Sequence, residues 1–416
     1  MVSLNDSSIL FLGLTHIGQI YSTSWLKKIG NCSVYDFNKL NLLKFKNKDF
    51  TEEEIFLKKL KLKRKFKYLK KDKDIEKFDI IFFTYDTNLN QLDGSPDLSY
   101  IKKYLKKLLA LKLKENCYII ITSQVYPGFT DKIFKHLNPK QKINYIYMVD
   151  TLKMGNASKS FLKPEQLIFG GEKKNYFFLK KLFNKFKCKK YLFSVKEAEL
   201  IKMAINLYLF FSVSYANLLD NFSRQNNVEF TKILGSLRND KRIGKHSYIY
   251  PSLGISGGHL ERDLFYLKQL NKSKIINKII KQLFEFNNKR KNILNNEIDK
   301  LKIKNLKILI IGLSYKKNSY SITNSIFSNL INNPKYNLKI FDDTFSLNEI
   351  PKNKKIKNLD FAKNFNLFIY NYSNKKNKIV IEKILKNDHK KLLINISNKE
   401  KLIGKNIKNI FNYKTN

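Results

Sequence analysis

Apolar and polar positions fall in short blocks along this chain. Apolar runs at Ser8–Leu14, Cys32–Asp36, Phe78–Thr84 and Cys117–Thr122 predict buried strands, with shorter ones at Ile143–Val149 and Gln166–Phe169. A helical stretch follows Thr15, and Leu98–Leu111 reads as another helix. Strands alternating with helices predict a parallel α/β sheet. From Val195 the pattern changes. Glu197–Phe222 has helical length and few turn formers, and around Leu207–Val213 it is apolar on nearly every side. Such a helix is normally buried between other elements. Helical patterns continue over Ile275–Leu301. After Lys304 a second α/β unit begins, with strands expected at Leu306–Leu313, Asn337–Asp342, Leu367–Tyr370 and Leu392–Ile396. The expectation is an α/β protein with two Rossmann-like parallel-sheet domains, residues 1–192 and 301–416, joined by a helical middle over 193–300.

Composition narrows the class. A chain of 416 residues holds two or three domains with real cores, and a hydrophobic fraction of 43% is that of a soluble globular protein. No apolar run reaches the roughly 18 residues of a membrane helix, and Met1–Asp6 shows no secretory pattern, so a cytoplasmic protein is expected. Cys32, Cys117 and Cys188 are scattered and odd in number, which predicts neither a disulfide framework nor a metal site. The formal charge of +45 invites a nucleic-acid partner. However, Lys, Asn, Ile and Phe are high together along the whole chain, the mark of an AT-rich genome, and the dense run Lys58–Lys71 reads as a solvated face. The charge would still draw an anionic dinucleotide or nucleotide sugar nonspecifically.

Gly13-Leu-Thr-His-Ile-Gly18 stands where a dinucleotide fold carries Gly-x-Gly-x-x-Gly, with a strand before it and a helix after it. The first Gly permits the tight turn, the second the approach of the pyrophosphate, and the third close helix–strand packing. Here the second is Thr15, whose Cβ crowds the phosphate, while the helix N-terminus still offers free N–H groups. Gly13, Thr15, Ile17 and Gly18 are the candidates on that side. Asp36 ends the next strand at about the spacing of the ribose-binding acid. A carboxylate there repels a 2′-phosphate and favours NAD over NADP.

Pro251-Ser-Leu-Gly-Ile-Ser-Gly-Gly-His-Leu-Glu-Arg-Asp263 and Ala198-Glu-Leu-Ile-Lys-Met-Ala-Ile-Asn206 resemble the active-site signatures of the nucleotide-sugar 6-dehydrogenases, the UDP-glucose/GDP-mannose dehydrogenase family. The resemblance covers almost the whole chain. It implies NAD as cofactor, a nucleotide sugar as substrate, a role in polysaccharide precursor synthesis, and a homodimer built on the long central helix. It also implies cofactor contacts from Thr87, in Tyr85-Asp-Thr-Asn88 where the family has Val-Pro-Thr-Pro, and from Ser123 and Gln124, where it has Ser-Thr. Substrate contacts follow for Asp150, Leu152 and Lys153, and for Arg242, Gly254, Gly257, Arg262 and Lys316.

In this family a hydroxymethyl group is first oxidised to an aldehyde, and a Cys then carries it to the acid. What resembles the first half is kept: Lys202 and Asn206, four apart on one helix face, and Asp263. The second half is depleted. The Cys falls on His259, or on Leu260 with a gap. The Glu tied to thioester hydrolysis is Met154, and the Thr that positions water is Gln124. Two readings follow. One is a single two-electron oxidation, with His259 available as acid or base. The other is binding without turnover.

Overall fold

The first apolar run becomes the middle of a sheet. In the computed structural model, which describes residues 7–48, 65–90, 94–137, 142–153, 155–313, 326–342, 350–397 and 402–411, the chain divides into two units, Met1–Asn206 and Leu207–Asn416. The first unit holds strands β1 (Ile9–Leu12), β2 (Ser33–Tyr35), β3 (Lys67–Tyr68), β4 (Ile80–Phe83), β5 (Asn88–Leu89), β6 (Pro96–Asp97), β7 (Tyr118–Ile121), β8 (Asn144–Met148), β9 (Gln166–Gly170) and β10 (Lys189–Phe193). Among the described residues eight of these form one sheet in the order β10-β9-β8-β7-β4-β1-β2-β3, and β5 and β6 form a hairpin. From β3 to β8 this is the dinucleotide-fold order, with its crevice at the carboxyl ends of β1 and β4. Strands β1 and β4 are buried along their whole length, which is why they read as unbroken apolar runs.

The sheet is parallel except between β8 and β9, where Tyr147 faces Gly170 and Met148 faces Phe169 in antiparallel register. β10 pairs in parallel with β9, so the last two strands run against the rest. β10 alternates exposed and half-buried residues at the sheet edge, so no continuous apolar run announces it.

Helix α1 (His16–Lys28) is buried from Ile17 to Leu26. Its Trp25 meets Phe11, Phe82 and Phe183. The unit continues with α2 (Lys39–Lys46), α3 (Ser99–Leu109), α4 (Phe129–Leu137), α5 (Ala157–Leu162), α6 (Asn175–Leu182) and the start of α7 (Val195–Gln225).

The second unit contains the rest of α7, then α8 (Phe230–Asn239), α9 (His259–Leu270), α10 (Lys274–Lys291), α11 (Ile293–Lys300), β11 (Lys307–Ile311), α12 (Ile326–Asn332), β12 (Asn337–Phe341), β13 (Leu367–Tyr370), α13 (Lys375–Asn387), β14 (Leu392–Asn395) and β15 (Ile407–Asn409). The expected helical stretch 275–301 is broken at Asn292, which ends α10 and begins α11. Phe210 and Val213 of α7 pack with Ile255, Leu264 and Ile280 to join α7, α9 and α10. The sheet is parallel in the order β12-β11-β13-β14-β15, a second doubly wound arrangement with its switch point between β11 and β13. No helix among the described residues is long and apolar enough to cross a membrane.

Candidate functional site

The turn from β1 into α1 follows the dinucleotide design closely. Gly13 has φ +104°, a region that L side chains rarely adopt. A Cβ on Gly18 would fall on the main-chain oxygen of Gly13, so only Gly lets α1 pack this tightly on the strand. Thr15 is the N-cap of α1, yet its side chain makes no capping bond to the helix. Its hydroxyl donates to the main-chain oxygen of Thr84 at 3.1 Å and accepts from the Asp86 N–H at 3.0 Å.

Asp36 stands at the end of β2, fully buried. Its Oδ2 accepts from the Leu14 N–H at 2.7 Å and from Asn41 Nδ2 at 3.2 Å. Its Oδ1 accepts from the Asn38 N–H at 2.7 Å and from the Tyr85 hydroxyl at 3.0 Å. Burial pushes its carboxyl above the usual range, against the pull of those four bonds. Two glycines, an acid at the strand end and an open helix terminus fit the adenosine and pyrophosphate of a dinucleotide once Tyr85 and Asp86 are displaced. The Tyr85 ring lies 2.8–3.0 Å from where a Cβ of Gly13 would be, and an Asp86 oxygen accepts from the Ile17 N–H at 3.2 Å.

A second cluster gathers around Asp150. Lys202, on α7, is 7% exposed, and with Lys291 and Lys391 it is one of the buried lysines among the described residues. Its Nζ donates to the main-chain oxygen of Asp150 and lies 3.9 Å from the carboxylate. Gln124 Nε2 donates to Asp150 Oδ2 at 3.4 Å, the Leu152 N–H donates to Oδ1 at 3.1 Å, and the Thr87 hydroxyl donates to the main-chain oxygen of Gln124. Burial, and then the nearby Asp150 charge, push the Tyr21 phenol well above its ordinary value. Asn206, one turn beyond Lys202, is also buried. The cluster thus joins Thr87, Gln124, Asp150 and Lys202, residues far apart in sequence, into a polar centre inside one unit. Ser123 anchors it from behind, its hydroxyl donating to the main-chain oxygen of Tyr85 at 2.6 Å. Lys153 does not join. It is exposed and pairs with Glu165 at 2.6 Å.

In the second unit the turns of the loop 251–258 are set by Gly254 (φ +107°), Gly257 (φ +90°) and Gly258 (φ +75°), and the loop leads into α9 at His259. A Cβ on Gly254 would meet Lys291 Cγ at 2.6 Å. Three buried side chains clamp this loop, and a fourth, Lys291, holds the helix it leads into. The Asn217 side-chain oxygen accepts from the Ser252 N–H at 2.7 Å, and that of Asn287 accepts from the Ile255 N–H at 2.7 Å. Arg290 donates to the main-chain oxygen of Ser252 at 2.7 Å and to Asp220 at 3.0 Å, and Lys291 pairs with Glu261 at 3.0 Å. His259 is exposed at the first turn of α9. Arg262 is 2% exposed, with its Nε 3.6 Å from Asp263 Oδ1, and neither Nε nor Nη2 has a hydrogen-bond acceptor among the described residues. Arg242 is exposed and forked onto Asp240, at 3.0 Å from Nε and 2.7 Å from Nη2. Lys316, Met154 and the stretch 314–325 lie outside the described residues.

Several structural groups carried no signal in the sequence. Glu199 lies within the Ala198–Asn206 motif, but the motif alone does not show what it holds. It is fully buried, accepting from the Gly128 and Thr130 N–H groups where α4 begins. Asn287, Arg290 and Lys291 look like ordinary surface residues in so basic a chain. Only their spacing along α10 places them on one side. The switch point of the second sheet repeats the geometry of the first. The Leu313 N–H and the Tyr372 hydroxyl both donate to Asp342 Oδ2 at 2.8 Å, beside Gly312 with φ +79°.

Comparison with known proteins places this geometry. The model of the UDP-glucose/GDP-mannose dehydrogenase family, NAD binding domain, matches residues 7–187, and that of the family's central domain matches residues 196–289. The UDP-glucose 6-dehydrogenase of Campylobacter jejuni is 31% identical over 292 residues, covering 68% of this chain and 70% of that protein. The UDP-glucose 6-dehydrogenase of Rickettsia bellii is 25% identical over 284 residues, and the match spans 65% of this chain and 64% of that relative. The structure of a UDP-D-ManNAc dehydrogenase from Pyrococcus horikoshii shares the fold, with a TM-score of 0.78 at 20% identity over 97% of this chain and 99% of that one. With both family models matched along the chain, and an NAD-binding domain over residues 7–187, this protein belongs to the UDP-glucose/GDP-mannose dehydrogenase family.

Proposed function

We propose that this protein oxidises a CH–OH group of a UDP- or GDP-linked sugar with NAD, in a two-electron step that ends at the carbonyl compound. The observation that carries this reading is the burial of Lys202. In a chain with 80 Lys and Arg residues most cations are solvated, yet this one is held inside against Asp150. An ammonium and the Asn206 amide on one helix face suit an alcohol oxygen that gains negative charge as its carbon loses hydride. When bound, NAD accepts that hydride. The hydroxyl proton is assigned to Asp263. Thr87, Ser123 and Gln124 are assigned to the cofactor, and Asp150 and Leu152 to the substrate, with Lys153, Arg242, Gly254, Gly257, Arg262 and Lys316 as further substrate-side candidates.

The step ends at the carbonyl because acid formation through a thioester needs a thiolate. The chain has three cysteines, and none lies in the loop 251–263. Burial pushes the thiols of Cys32 and Cys117 up to about 12, and that of Cys188 upward as well, so all three favour the protonated, inert form. His259 at that loop offers acid–base chemistry but no thioester.

The homodimer is supported by an exposed apolar stripe on α7. Tyr208, Phe211, Tyr215, Leu218 and Phe222 recur every three or four residues and face solvent in the single chain. A diffusible cofactor and substrate put the reaction in the cytoplasm, where polysaccharide precursors form. Binding without turnover is a second reading, favoured by the complete set of bonds already made to Asp36. The test is incubation of the full chain with NAD and a panel of UDP-, GDP- and N-acetylated sugars. NADH from at least one sugar is expected. No NADH from any of them, with sugar binding retained, would replace the oxidation by the second reading.

A further inference from the structure

The loop after β4 reaches back over the cofactor crevice. Where the family pattern reads Val-Pro, this chain has Tyr85-Asp86. Tyr85 is fully buried, stacked on Tyr104 at 4.6 Å between ring centroids and edge-on to Tyr100 at 5.7 Å. Its ring fills the open space that Gly13 leaves. Its hydroxyl donates to Asp36 Oδ1 at 3.0 Å and accepts from the Phe37 N–H at 3.0 Å. Asp86 places a carboxylate oxygen on the Ile17 N–H, in the first turn of α1.

Two of these bonds, to Asp36 and from the Ile17 N–H, stand in for ones that a dinucleotide makes. In a Rossmann fold the adenosine ribose donates its hydroxyls to the acid ending the second strand, and the pyrophosphate accepts from the first amides of the helix. Here a phenol donates to that acid and a carboxylate accepts from one of those amides. The substitution is chemically close. A hydroxyl replaces a hydroxyl, and a carboxyl oxygen replaces a phosphate oxygen at the positive end of a helix dipole, although burial pushes the Asp86 carboxyl above its ordinary range. Helix capping alone does not explain Asp86. The N-cap residue Thr15 could have capped α1 itself, but its hydroxyl instead holds the Asp86 N–H and the Thr84 carbonyl. The second fingerprint position, Thr15 instead of Gly, thereby ties down the loop that carries both occupying groups.

We propose that Tyr85 and Asp86 are a built-in occupant of the adenosine-diphosphate half of the cofactor site, so that a dinucleotide binds only by displacing them and these two residues set its affinity. The proposal rests on the NAD-dependent reading above, but it is read by binding and not by turnover. A chain that binds dinucleotide and oxidises no sugar would sink that reading and leave this one standing.

The experiment titrates the full-length chain with NADH, ADP-ribose and adenosine by calorimetry, and follows NADH fluorescence in parallel. Wild type is compared with Tyr85→Val, Tyr85→Phe and Asp86→Asn. Asp86→Asn keeps an acceptor for the Ile17 N–H, while an uncharged NH2 donor takes the place of the second carboxyl oxygen. Tyr85→Val and Asp86→Asn should each tighten NADH by about tenfold, and Tyr85→Phe, which loses both phenol bonds but keeps the ring, by about fivefold. Adenosine, which has no phosphate, should gain from Tyr85→Val and not from Asp86→Asn. ADP-ribose should gain from both. Should Tyr85→Val not fold, Tyr85→Phe and Asp86→Asn carry the test. Hydrogen exchange on wild type is independent of any variant, and amides 84–88 should exchange faster at saturating NADH as the loop leaves. NADH affinity unchanged or weakened in all variants, or amides 84–88 more protected in the complex, would overturn the proposal.

Discussion

Glu199 sets burial directly against hydrogen bonding, and the structure predicts which wins. Its carboxylate is buried and accepts from the Gly128 and Thr130 N–H groups at the start of α4. Those bonds and the helix terminus favour the charged form, but burial outweighs them and pushes the carboxyl from 4.5 up to about 7. The gap between folded and unfolded values is worth about 3 kcal/mol. Because the folded value is the higher one, that stability is complete below about pH 4.5 and is lost as the pH rises through about 7. Glu199→Gln mimics the protonated side chain, with one carbonyl oxygen and no charge. The variant should therefore match wild type within about 1 kcal/mol near pH 5 and exceed it by about 3 kcal/mol near pH 8.5. The assay is urea unfolding followed by tryptophan fluorescence. Trp25 is the chain's one tryptophan and is buried in the first unit, so the signal reports that unit alone. A variant less stable than wild type near pH 8.5 would show instead that the two amide bonds outweigh burial.

Lys202→Met should lower kcat/KM for the sugar by roughly 10²- to 10³-fold, the scale of losing one donor to a developing oxyanion. Unchanged turnover removes Lys202 from the mechanism. Replacing Cys32, Cys117 and Cys188 together by Ala or Ser should leave sugar oxidation within about twofold, since the proposed step uses no thiol. A fall of a hundredfold in a folded variant would restore a thiol to the chemistry. Phe211→Glu with Tyr215→Glu puts charge into the stripe on α7 and should convert a dimer to a monomer in sedimentation velocity. A wild-type monomer at micromolar concentration would dismiss the proposed dimer outright.

The sequence revealed what is fixed by backbone geometry. Strands buried on both faces, such as β1, β4, β11 and β13, can only be apolar runs, so they are visible in the chain. Gly13, Gly18 and Asp36 were legible because a strand–turn–helix approach to a dinucleotide dictates their spacing. The edge strands β3, β10 and β15 are short or half-exposed, and their Lys and Asn residues match the background of the whole chain. The same background hid Asn287, Arg290 and Lys291, whose importance comes from burial and not from residue type. Tyr85 and Asp86 read only as a lost Val-Pro. Their contacts with Asp36 and Ile17 join residues about 50 and about 70 positions apart, and only the folded chain brings them together.

An oxidation that ends after one hydride shows itself in the ratio of NADH formed to sugar product. Both are quantified in one reaction mixture, the product by mass spectrometry after trapping carbonyls with a hydrazine. One NADH is expected for each trapped aldehyde or ketone. Two NADH for each sugar acid, with no trapped carbonyl, would contradict it.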